Sequence, residues 1–538
     1  MTTNNFSLQS DPTINRIADR RAFMKFSGGC AALGSTSLLS QLLSLQLTGA
    51  AYAASGQTST SGYKALVCVF LNGGIDSFNL LCPFDDAEHA YFTTLRSFAA
   101  PPKTGATPLL EIPADIANPG GRKLGIHPLM PELRTLYNQG DMAFLANVGS
   151  LIGQTTKTTY NNGTAPRPLG LFSHADLIQH WQTSVPQSRS QATGWGGRMA
   201  DLLATQHNLT SKVSMNVALG SNNLFQTGNT VLPYVVGSAG ATLPDGYRFF
   251  TDTPAGNRYD RIVNRVINGT TAQGLNAMYP QADTATGALY SNLLQRTMAL
   301  KKRSAIDIAD MFFDATTTGL VGGQPGPGNL PALAQQPFTD IANATTGATA
   351  ISGNLRSFAA NLNMVARVIQ ARNVFGQTRQ IFFVQLGGWD HHDNINTQMT
   401  SMLPGLSKAL SAFYNATVQL GVKNDVVTFT ASDFARTLTP NPSGTDHAWG
   451  GNQLIMGGSV AGGKVYGDYP VFSAPSIAAI DIGGRGRLVP TTSVDAYNAE
   501  LARWFGVSND SSMSDILPNV RNFYGAGGST GPLGFLPT

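Results

Sequence analysis

The sequence predicts an α/β fold with a mainly parallel central sheet flanked by helices. Apolar strand-like runs alternate with segments of helical spacing, and the runs are continuously apolar, which is typical of strands buried on both faces. The predicted strands are 63–71, 142–149, 379–388 and 425–432. The predicted helices are 127–140, 354–373, 401–421 and 494–506. The first strand, the first helix and the second strand together indicate a parallel βαβ unit.

The centre of the chain lacks this alternation. Residues 185–350 show no regular strand–helix rhythm, and 319–336 are rich in glycine and proline, which predicts a loop. We therefore predict one domain over 54–538, built from both halves of the chain, with an insertion or cap within about 185–350. A separate central domain is the alternative.

Composition narrows the class of partner. The chain has 538 residues, of which 42% are hydrophobic, enough for a sizeable core. Only 12% are charged, and the formal net charge is +4. This balance gives no electrostatic case for nucleic acid or an acidic membrane surface as a partner.

The N-terminus resembles a bacterial twin-arginine export signal over residues 1–53. Arg20 and Arg21 precede Phe23 and Lys25, an apolar stretch follows, and small residues in 51–53 form an A-x-A cleavage pattern. This predicts a periplasmic or secreted protein that uses the twin-arginine export machinery and keeps no transmembrane anchor after signal removal. A transmembrane anchor is the alternative, but Gly, Ser and Gln interrupt the stretch.

Two cysteines would remain in the exported protein. Cys30 would leave with the signal, whereas Cys68 and Cys82 stay. Cys68 lies in a predicted strand and is interpreted as a small core residue. A Cys68–Cys82 disulfide is the alternative in an oxidising compartment.

Acidic residues and histidines follow the predicted strands, at the edge where open parallel sheets bind ligands. Asp76 follows the first strand, the quartet 390–393 (Asp-His-His-Asp) follows the third, and Asp433 follows the fourth. Asp446 and His447 come next, in a glycine-rich loop. Carboxylate oxygens and imidazole nitrogens together suit zinc, manganese or a similar divalent ion.

The quartet has a directional pattern. In an extended segment Asp390 and His392 point the same way, so both are candidate metal ligands. His391 would point away or support the site, and Asp393 could orient a neighbouring imidazole. A polar loop without a metal is the alternative, and Asp76 alone could be a turn or helix-capping residue.

Ser173 and Arg436 are candidate catalytic residues. Ser173 opens a helical segment, where main-chain N–H groups favour an anion, although the S-x-x-D pattern to Asp176 equally indicates a helix cap. Arg436 could hold an anionic oxygen or pair with Asp433. His174 and His180 could be ligands, bases or surface residues. The glycine-rich segment 483–492 predicts a hairpin turn rather than a phosphate-binding loop.

Several motifs occur in an order that resembles the exported bacterial family known as domain of unknown function 1501. The resemblance covers roughly residues 15–525 and is weakest in the centre. The motifs after the export signal are LVCVFLNGGIDSFNLLCP, LFSHADLIQHW, LGGWDHHDN, TFTASDFARTLTP, GTDHAWGGNQLIMGGSVAGGKVYG and GRGRLVPTTSVDAYNAELARWFG.

That family is grouped with the alkaline phosphatase and sulfatase superfamily, which implies an α/β sheet, two divalent metals and a nucleophile at a helix N-terminus. Ser173 is placed where that nucleophile would lie. The implied metal ligands are Asp76, Asp390, His392, Asp433, His447 and, beside it, Asp446.

The sequence departs from the superfamily pattern in several places. Asp433 is followed by Phe434 where active phosphatases and sulfatases often have a histidine, so a second metal could lack a ligand. His391 stands where a small hydroxyl residue is more usual, and Asn72 replaces an arginine before the two glycines. No C-x-P-S-R sequence is present, which counts against a formylglycine sulfatase.

Together these features predict an exported metal-dependent hydrolase of phosphate or sulfate esters. One or two divalent ions (zinc, manganese, calcium or magnesium) would act on a small anionic ester or a glycan-linked substrate. The alternative is a non-catalytic periplasmic or cell-surface binding or assembly protein that retains the fold. A carbohydrate-processing enzyme is a third and weaker hypothesis, since no convincing pair of acids is visible.

Overall fold

The computed structural model describes residues 62–113, 121–238, 330–345, 350–508, 510–523 and 533–537, with a few positions between 308 and 325. The chain divides into two compact units. One comprises Leu47–Leu243 and Ile306–Thr538 and contains every described residue. The other, Met1–Gln46 with Pro244–Ala305, lies outside the described residues, as does the predicted export signal.

The described part of the chain contains fourteen strands. They are β1 Lys64–Asn72, β2 Leu81–Pro83, β3 Leu110–Ile112, β4 Leu124–Ile126, β5 Met142–Gly149, β6 Asn216–Leu219, β7 Tyr234–Val236, β8 Leu320–Val321, β9 Gln324–Pro325, β10 Arg379–Gly387, β11 Val426–Ser432, β12 Gly451–Met456, β13 Val465–Tyr466 and β14 Thr492–Ser493.

Twelve α-helices accompany them in the described residues. They are α1 Asp86–Arg96, α2 Pro131–Gln139, α3 Lys157–Asn161, α4 His174–Thr183, α5 Trp195–His207, α6 Ala332–Asn343, α7 Gly353–Gln370, α8 Arg372–Phe375, α9 Ile395–Gln419, α10 Ala474–Ile480, α11 Val494–Phe505 and α12 Asp510–Ile516. No described helix has the length and apolarity needed to cross a membrane.

The main sheet has nine strands, and its order confirms the α/β prediction with a mainly parallel centre. The order is β13-β5-β12-β11-β1-β10-β6-β7, with β14 also paired to β5. The five neighbours from β11 to β7 are mutually parallel, whereas β12 is antiparallel to both β11 and β5. β1 and β5 run in the same direction but are separated by β11 and β12. The predicted βαβ unit implied that β1 and β5 are neighbours, but in the sheet they are not adjacent.

β1 lies at the centre of this sheet because its side chains are apolar on both faces. Leu66, Cys68 and Phe70 belong to a core cluster that also contains Trp195 of α5 and Tyr497 of α11. The alternate residues of β1 are buried as well, so the strand is covered on both sides. Cys68 and Cys82 are both buried free thiols rather than a disulfide.

The central stretch contributes more regular structure than its sequence pattern indicated. Helix α5 and strands β6 and β7 fall within 185–350, and both strands join the main sheet beside β10. The strands have four and three residues, too short to produce a recognisable periodicity. The extent of an insertion or cap in this region stays a prediction.

Candidate functional site

Three neighbouring parallel strands end at the same level of the sheet. Asn72 at the end of β1 pairs with Gly387 of β10, and Leu71 pairs with Ser432, the last residue of β11. The segments that follow carry Asp390 and Asp433, so the register brings both to one edge. This is the edge at which open parallel sheets bind ligands.

The loop after β1 holds the other two segments in place. A Cβ atom at Gly73, where φ is +117°, would lie 2.6 Å from the main-chain nitrogen of Asp390. Only glycine fits both this conformation and this approach without strain. The Gly73 N–H also donates a 3.0 Å hydrogen bond to Oδ1 of Asp433. The close contact of these loops therefore fixes the spacing between Asp390 and Asp433.

Helix α4 delivers a further imidazole to this edge. Ser173 is the N-cap of the helix, and its hydroxyl accepts a long 3.5 Å hydrogen bond from the Asp176 N–H. Phe172, just before it, has a left-handed backbone with φ of +73°. The turn places His174 in the first turn of α4, with its Nδ1 2.7 Å from Oδ2 of Asp433.

Three histidines have their Nδ1 atoms bound to oxygen acceptors. His174 Nδ1 contacts Asp433, His392 Nδ1 lies 3.0 Å from Asp446 Oδ1, and His447 Nδ1 lies 2.7 Å from the carbonyl of Phe172. Because carboxylate and carbonyl oxygens accept, each Nδ1 donates its proton to them. In a neutral ring with this tautomer, Nε2 carries a lone pair.

These three Nε2 atoms converge on the carboxylate of Asp390. Their distances to its oxygens are 3.4 Å for His174, 3.1 Å for His392 and 3.3 Å for His447. The Nε2 atoms of His392 and His447 are 2.9 Å apart. The buried Nε2 of His174 has no hydrogen-bond partner in the described residues. We call His174, Asp390, His392 and His447 the ligand cluster.

The electrostatic environment keeps two of these groups in ligand form. Burial raises the pKa of Asp390, but the hydrogen bond and charge of Arg436 outweigh it, so the net pKa lies below its usual value. Burial and the Arg436 charge lower the pKa of His447, against the Phe172 hydrogen bond. At neutral pH the site therefore presents an ionised carboxylate and a neutral imidazole.

The supporting carboxylates differ from each other. Burial raises the pKa of Asp433 despite its hydrogen bonds from His174 and Gly73. Asp446 is more open: burial raises its pKa, but the bonds from Arg485, His392 and others bring it to about 2. Asp446 is thus firmly ionised, and it takes the orienting role expected of Asp393, which is exposed.

The chemistry of the donor set fits a divalent cation. Ligand atoms of His174, Asp390 and His447 all lie within 4.8 Å of one another. Imidazole nitrogens together with a carboxylate suit zinc or manganese. Each imidazole also has the hydrogen-bonded outer partner that is usual for metal-ligating histidine. Asp390 and His392 are each 45% exposed, so the cluster opens to solvent.

Asp76 lies away from this cluster. Its Oδ2 is 2.5 Å from Nη2 of Arg96, and both side chains are completely buried. Thr445 Oγ1 lies 3.4 Å from the same oxygen. The neighbouring His391 is buried too, and neither of its ring nitrogens has a hydrogen-bond partner in the described residues. The charge of Asp76 is therefore neutralised by Arg96, and its described contacts do not include the ligand cluster.

Arg436 is a buried anchor. Its guanidinium donates to the carbonyls of Gly73, Gly74, Thr445 and Trp389 and to Oδ1 of Asp390. With no exposed side-chain surface, it has no face open to a substrate. It ties the loops after β1 and β10 together and holds Asp390. The predicted contact with an anionic oxygen is not favoured by this geometry.

His174 is the residue that the sequence left undecided. It stands next to Ser173, at the start of a helix that reaches the ligand-binding edge of the sheet, and that adjacency was the available indication. His180, the other histidine of α4, is buried 3.3 Å from Ser150 Oγ, and burial lowers its pKa to about 4. Phe434 packs against the rings of His174 and His447, with centroids 4.8 and 4.3 Å away.

Comparison with known proteins confirms the family resemblance. A family model described as "Protein of unknown function (DUF1501)" matches residues 333–477. This match includes Asp390, His392, Asp433 and His447. A search of curated proteins finds no match to the chain.

Solved structures with detectable similarity include a sulfatase and an alkaline phosphatase. Ps i-CgsB in complex with k-i-k-neocarrahexaose is 8% identical, with a TM-score of 0.29, over 84% of this chain and 74% of that one. The PsFucS1 sulfatase from Pseudoalteromonas sp. is 9% identical, with a TM-score of 0.27, over 84% and 74%. Alkaline phosphatase from the Antarctic bacterium TAB5 is 11% identical, with a TM-score of 0.24, over 75% and 95%. These TM-scores are too low to indicate the function of this chain.

Proposed function

We propose that the chain is a metal-dependent hydrolase of phosphate or sulfate esters. The main support is the ligand cluster, in which the Nε2 atoms of three imidazoles converge on one carboxylate. Their position at the carboxyl ends of three parallel strands, open to solvent, suits a site that must admit a substrate.

The proposed cation is a single divalent ion, with zinc or manganese favoured by the imidazole-rich donor set. When bound, it acts as a Lewis acid that offsets charge on ester oxygens and lowers the pKa of the attacking group. Asp433, Asp446 and the Phe172 carbonyl keep the three imidazoles in the tautomer that presents Nε2. Arg436 keeps Asp390 ionised and aimed at the same point.

Ser173 is our candidate nucleophile, and a water molecule is the alternative. The neighbours of Ser173 on both sides contact the cluster, through the Phe172 carbonyl and the His174 ring. Its hydroxyl accepts a long hydrogen bond from the Asp176 N–H and also donates to the Asp176 carboxylate, which helps to lower the pKa of Asp176. The N-terminus of α4 would favour a negative charge on its oxygen.

A binding or assembly protein that holds a metal without turnover is the second candidate. The observation that favours it is Phe434, which fills the space beside His174 and His447 with an apolar ring. A second cation would lack a ligand there. Superfamily relatives that use two ions would therefore differ from this chain in the number of metals, and reactivity could have been lost with the second one.

Metal content and ester turnover distinguish the two candidates. The purified protein is expressed with zinc or manganese supplied, its metal is quantified by mass spectrometry, and aryl phosphates, phosphodiesters and aryl sulfates are assayed. Asp390→Ala and His447→Ala are the site variants, and Asp393→Ala is the matched control because Asp393 is exposed beside them. We expect about one bound ion and turnover of at least one ester class in the wild type and the control.

Two results would decide against the hydrolase. Absence of metal in the replete wild type, together with no turnover, would overturn both the metal site and the activity. Stoichiometric metal that disappears in Asp390→Ala, without turnover of any ester, would favour the binding protein.

We also propose export by the twin-arginine route. The support is the sequence of residues 19–25 and the A-x-A pattern that follows. Fractionation of cells that express the full chain tests it. The wild type should lose the first 53 residues or so and appear outside the cytoplasm, and replacement of Arg20 and Arg21 by lysine should retain it inside.

A further inference from the structure

The segment that joins α10 to β14 forms a rigid hairpin beside the ligand cluster. Asp481 and Leu488 form an antiparallel bridge across it. The Asp481 carboxylate accepts hydrogen bonds from the main-chain N–H groups of Gly483, Gly484, Gly486 and Arg487, at 3.0, 3.1, 2.8 and 3.0 Å. The Asp481 carboxylate thus stabilises the hairpin main chain that carries Arg485 and Arg487.

Arg485 is committed to the support of the site. Its Nη1 lies 2.5 Å from Oδ2 of Asp446, the residue that orients His392. Its Nη2 lies 3.5 Å from the carbonyl of Thr439. Its charge therefore has a carboxylate partner inside the protein.

Arg487 is positioned equally closely but has hydrogen-bond donors to spare. Its Nε donates a 3.0 Å hydrogen bond to the carbonyl of His447, and its guanidinium lies 4.6 Å from the centre of the Phe172 ring. These residues flank the site, since Phe172 precedes Ser173 and His447 belongs to the ligand cluster. Among the described residues, no acceptor binds Nη1 or Nη2 of Arg487. A guanidinium held on one edge and one face, with its fork unused, suits a planar pair of anionic oxygens.

The groups around the cluster also indicate the sign of the missing partner's charge. Four carboxylates (Asp390, Asp433, Asp446 and Asp481) stand against three guanidinium groups (Arg436, Arg485 and Arg487). A divalent cation would leave an excess of about one positive charge, so we expect the partner to be an anion.

We propose that Arg487 binds two non-bridging oxygens of the substrate's phosphate or sulfate group through its Nη groups. This inference rests on the proposed hydrolase function and adds a substrate-binding residue to it. Arg487 acts as a substrate-binding residue, while Arg485 and Arg436 act by holding the ligands.

Inorganic phosphate is the probe that tests this assignment. Its affinity for the metal-loaded protein is measured by calorimetry, and its competition with an aryl phosphate gives an inhibition constant. The variants are Arg487→Gln and Arg487→Lys. Arg167→Gln is the matched control, because Arg167 also lies over an aromatic ring, at 4.4 Å from Tyr160, and also binds a carbonyl oxygen, that of Tyr160.

The expected result is a loss of phosphate affinity, and of kcat/KM for the aryl phosphate, on the order of 10- to 100-fold in Arg487→Gln. Metal content should stay at the wild-type level. Arg487→Lys should recover part of the loss, since it restores the charge without the fork. Arg167→Gln should match the wild type.

The failure of this inference is distinguishable from failure of the proposed function. Wild-type turnover of aryl phosphates with phosphate affinity unchanged in Arg487→Gln would overturn the role of Arg487 and leave the hydrolase intact. If the protein cleaves aryl sulfates instead, inorganic sulfate takes the place of phosphate as the probe, and unchanged sulfate affinity in Arg487→Gln would overturn the role of Arg487. Phosphate binding that depends on Arg487, in a metal-loaded protein that cleaves no ester, would support the binding role and overturn the hydrolase.

Discussion

Two acidic residues follow neighbouring central strands, and their surroundings differ completely. Asp390, after β10, faces three imidazole Nε2 atoms and is partly open to solvent. Asp76, after β1, is completely buried and ion-paired to Arg96. The first environment places three imidazole nitrogens around the carboxylate, whereas in the second the carboxylate is already paired with an arginine. Whether a post-strand aspartate is a candidate metal ligand or a structural ion-pair partner thus depends on what faces it, and its position in the sequence alone does not decide.

We call the surroundings of Asp390 the open region and those of Asp76 the closed region. The largest expected effect is that of a substitution in the open region. Asp390→Ala removes the only anionic ligand of the cluster and releases Arg436 from its carboxylate partner. We expect metal content to fall to background and ester turnover to disappear, while Asp76→Ala retains bound metal. Mass spectrometry of the purified proteins checks both statements. If Asp76→Ala loses its metal at a temperature where the variant is folded, Asp76 contributes to metal binding after all.

The second effect concerns stability and belongs to the closed region. Asp76→Ala leaves the buried Arg96 without its counter-charge, which should lower the free energy of unfolding by about 3–5 kcal/mol. Chemical denaturation measured by circular dichroism gives this value. Asp393→Ala is the control and should change it by less than about 0.5 kcal/mol. The double variant Asp76→Ala with Arg96→Met should recover part of the loss, and a stable single variant would contradict the proposed importance of the pair.

A third, smaller effect tests how the open region is supported. Asp433→Asn keeps the shape of the residue but removes the charge that orients His174. Such outer partners typically contribute roughly 10- to 100-fold to metal affinity, so we expect a loss of that size, measured by competition with a chelator. Thr430→Ser serves as the control, since Thr430 lies in β11, the strand that Asp433 follows, and its hydroxyl bonds Gln453 and Leu454 rather than the cluster. Affinity unchanged in Asp433→Asn would mean that His174 is not a ligand.

The smallest expected effect concerns a third buried carboxyl, that of Asp495, which has no ion-pair partner like Arg96 and lacks a hydrogen-bond donor to one of its oxygens. Asp495 in α11 is buried, its Oδ1 has no partner in the described residues, and burial raises its pKa to about 8. A raised pKa in the folded state means that the folded protein binds the proton more tightly than the unfolded chain. The resulting stability is present at low pH and is lost as the pH rises towards 8.

The matching variant is Asp495→Asn, which cannot titrate. Between pH 5 and 8 its free energy of unfolding should improve relative to that of the wild type by about 1 kcal/mol per pH unit. Denaturation at several pH values gives the difference, and other titrating groups such as Glu500 cancel because both proteins contain them. A difference that does not vary with pH would mean that Asp495 is ionised in the folded protein.

The sequence predicted the fold better than the site. Continuous apolar runs predicted β1, β5, β10 and β11 to within a residue or two, since strands buried on both faces need such runs. The antiparallel β12 and the short strands β6 and β7 were not predicted, because a few buried residues carry no periodicity. Helix α9 begins at Ile395 rather than 401, because its first turn is mostly polar.

For the site, the sequence identified the edge of the sheet but not all of its contacts. The edge does contain five of the predicted residues: Asp390, His392, Asp433, Asp446 and His447. The partner of Asp76 was not predicted, because Arg96 lies at the far end of the helix α1 that follows Asp76. No local pattern relates a helix-terminal arginine to an aspartate twenty residues earlier. His174 and Arg487 join the site through tertiary contacts alone, so their roles depend on the order of strands in the sheet.

That strand order has a consequence for how the protein is made. β1 is the first described strand of the main sheet to be synthesised, yet both of its neighbours, β10 and β11, lie in the last third of the chain. The nascent β1 must therefore wait for its native partners, with an apolar face on each side, until the ribosome has passed Ser432. Such long-range pairing slows folding and prolongs exposure to aggregation. We therefore expect the centre of the sheet to close late in synthesis, after β11 has emerged from the ribosome.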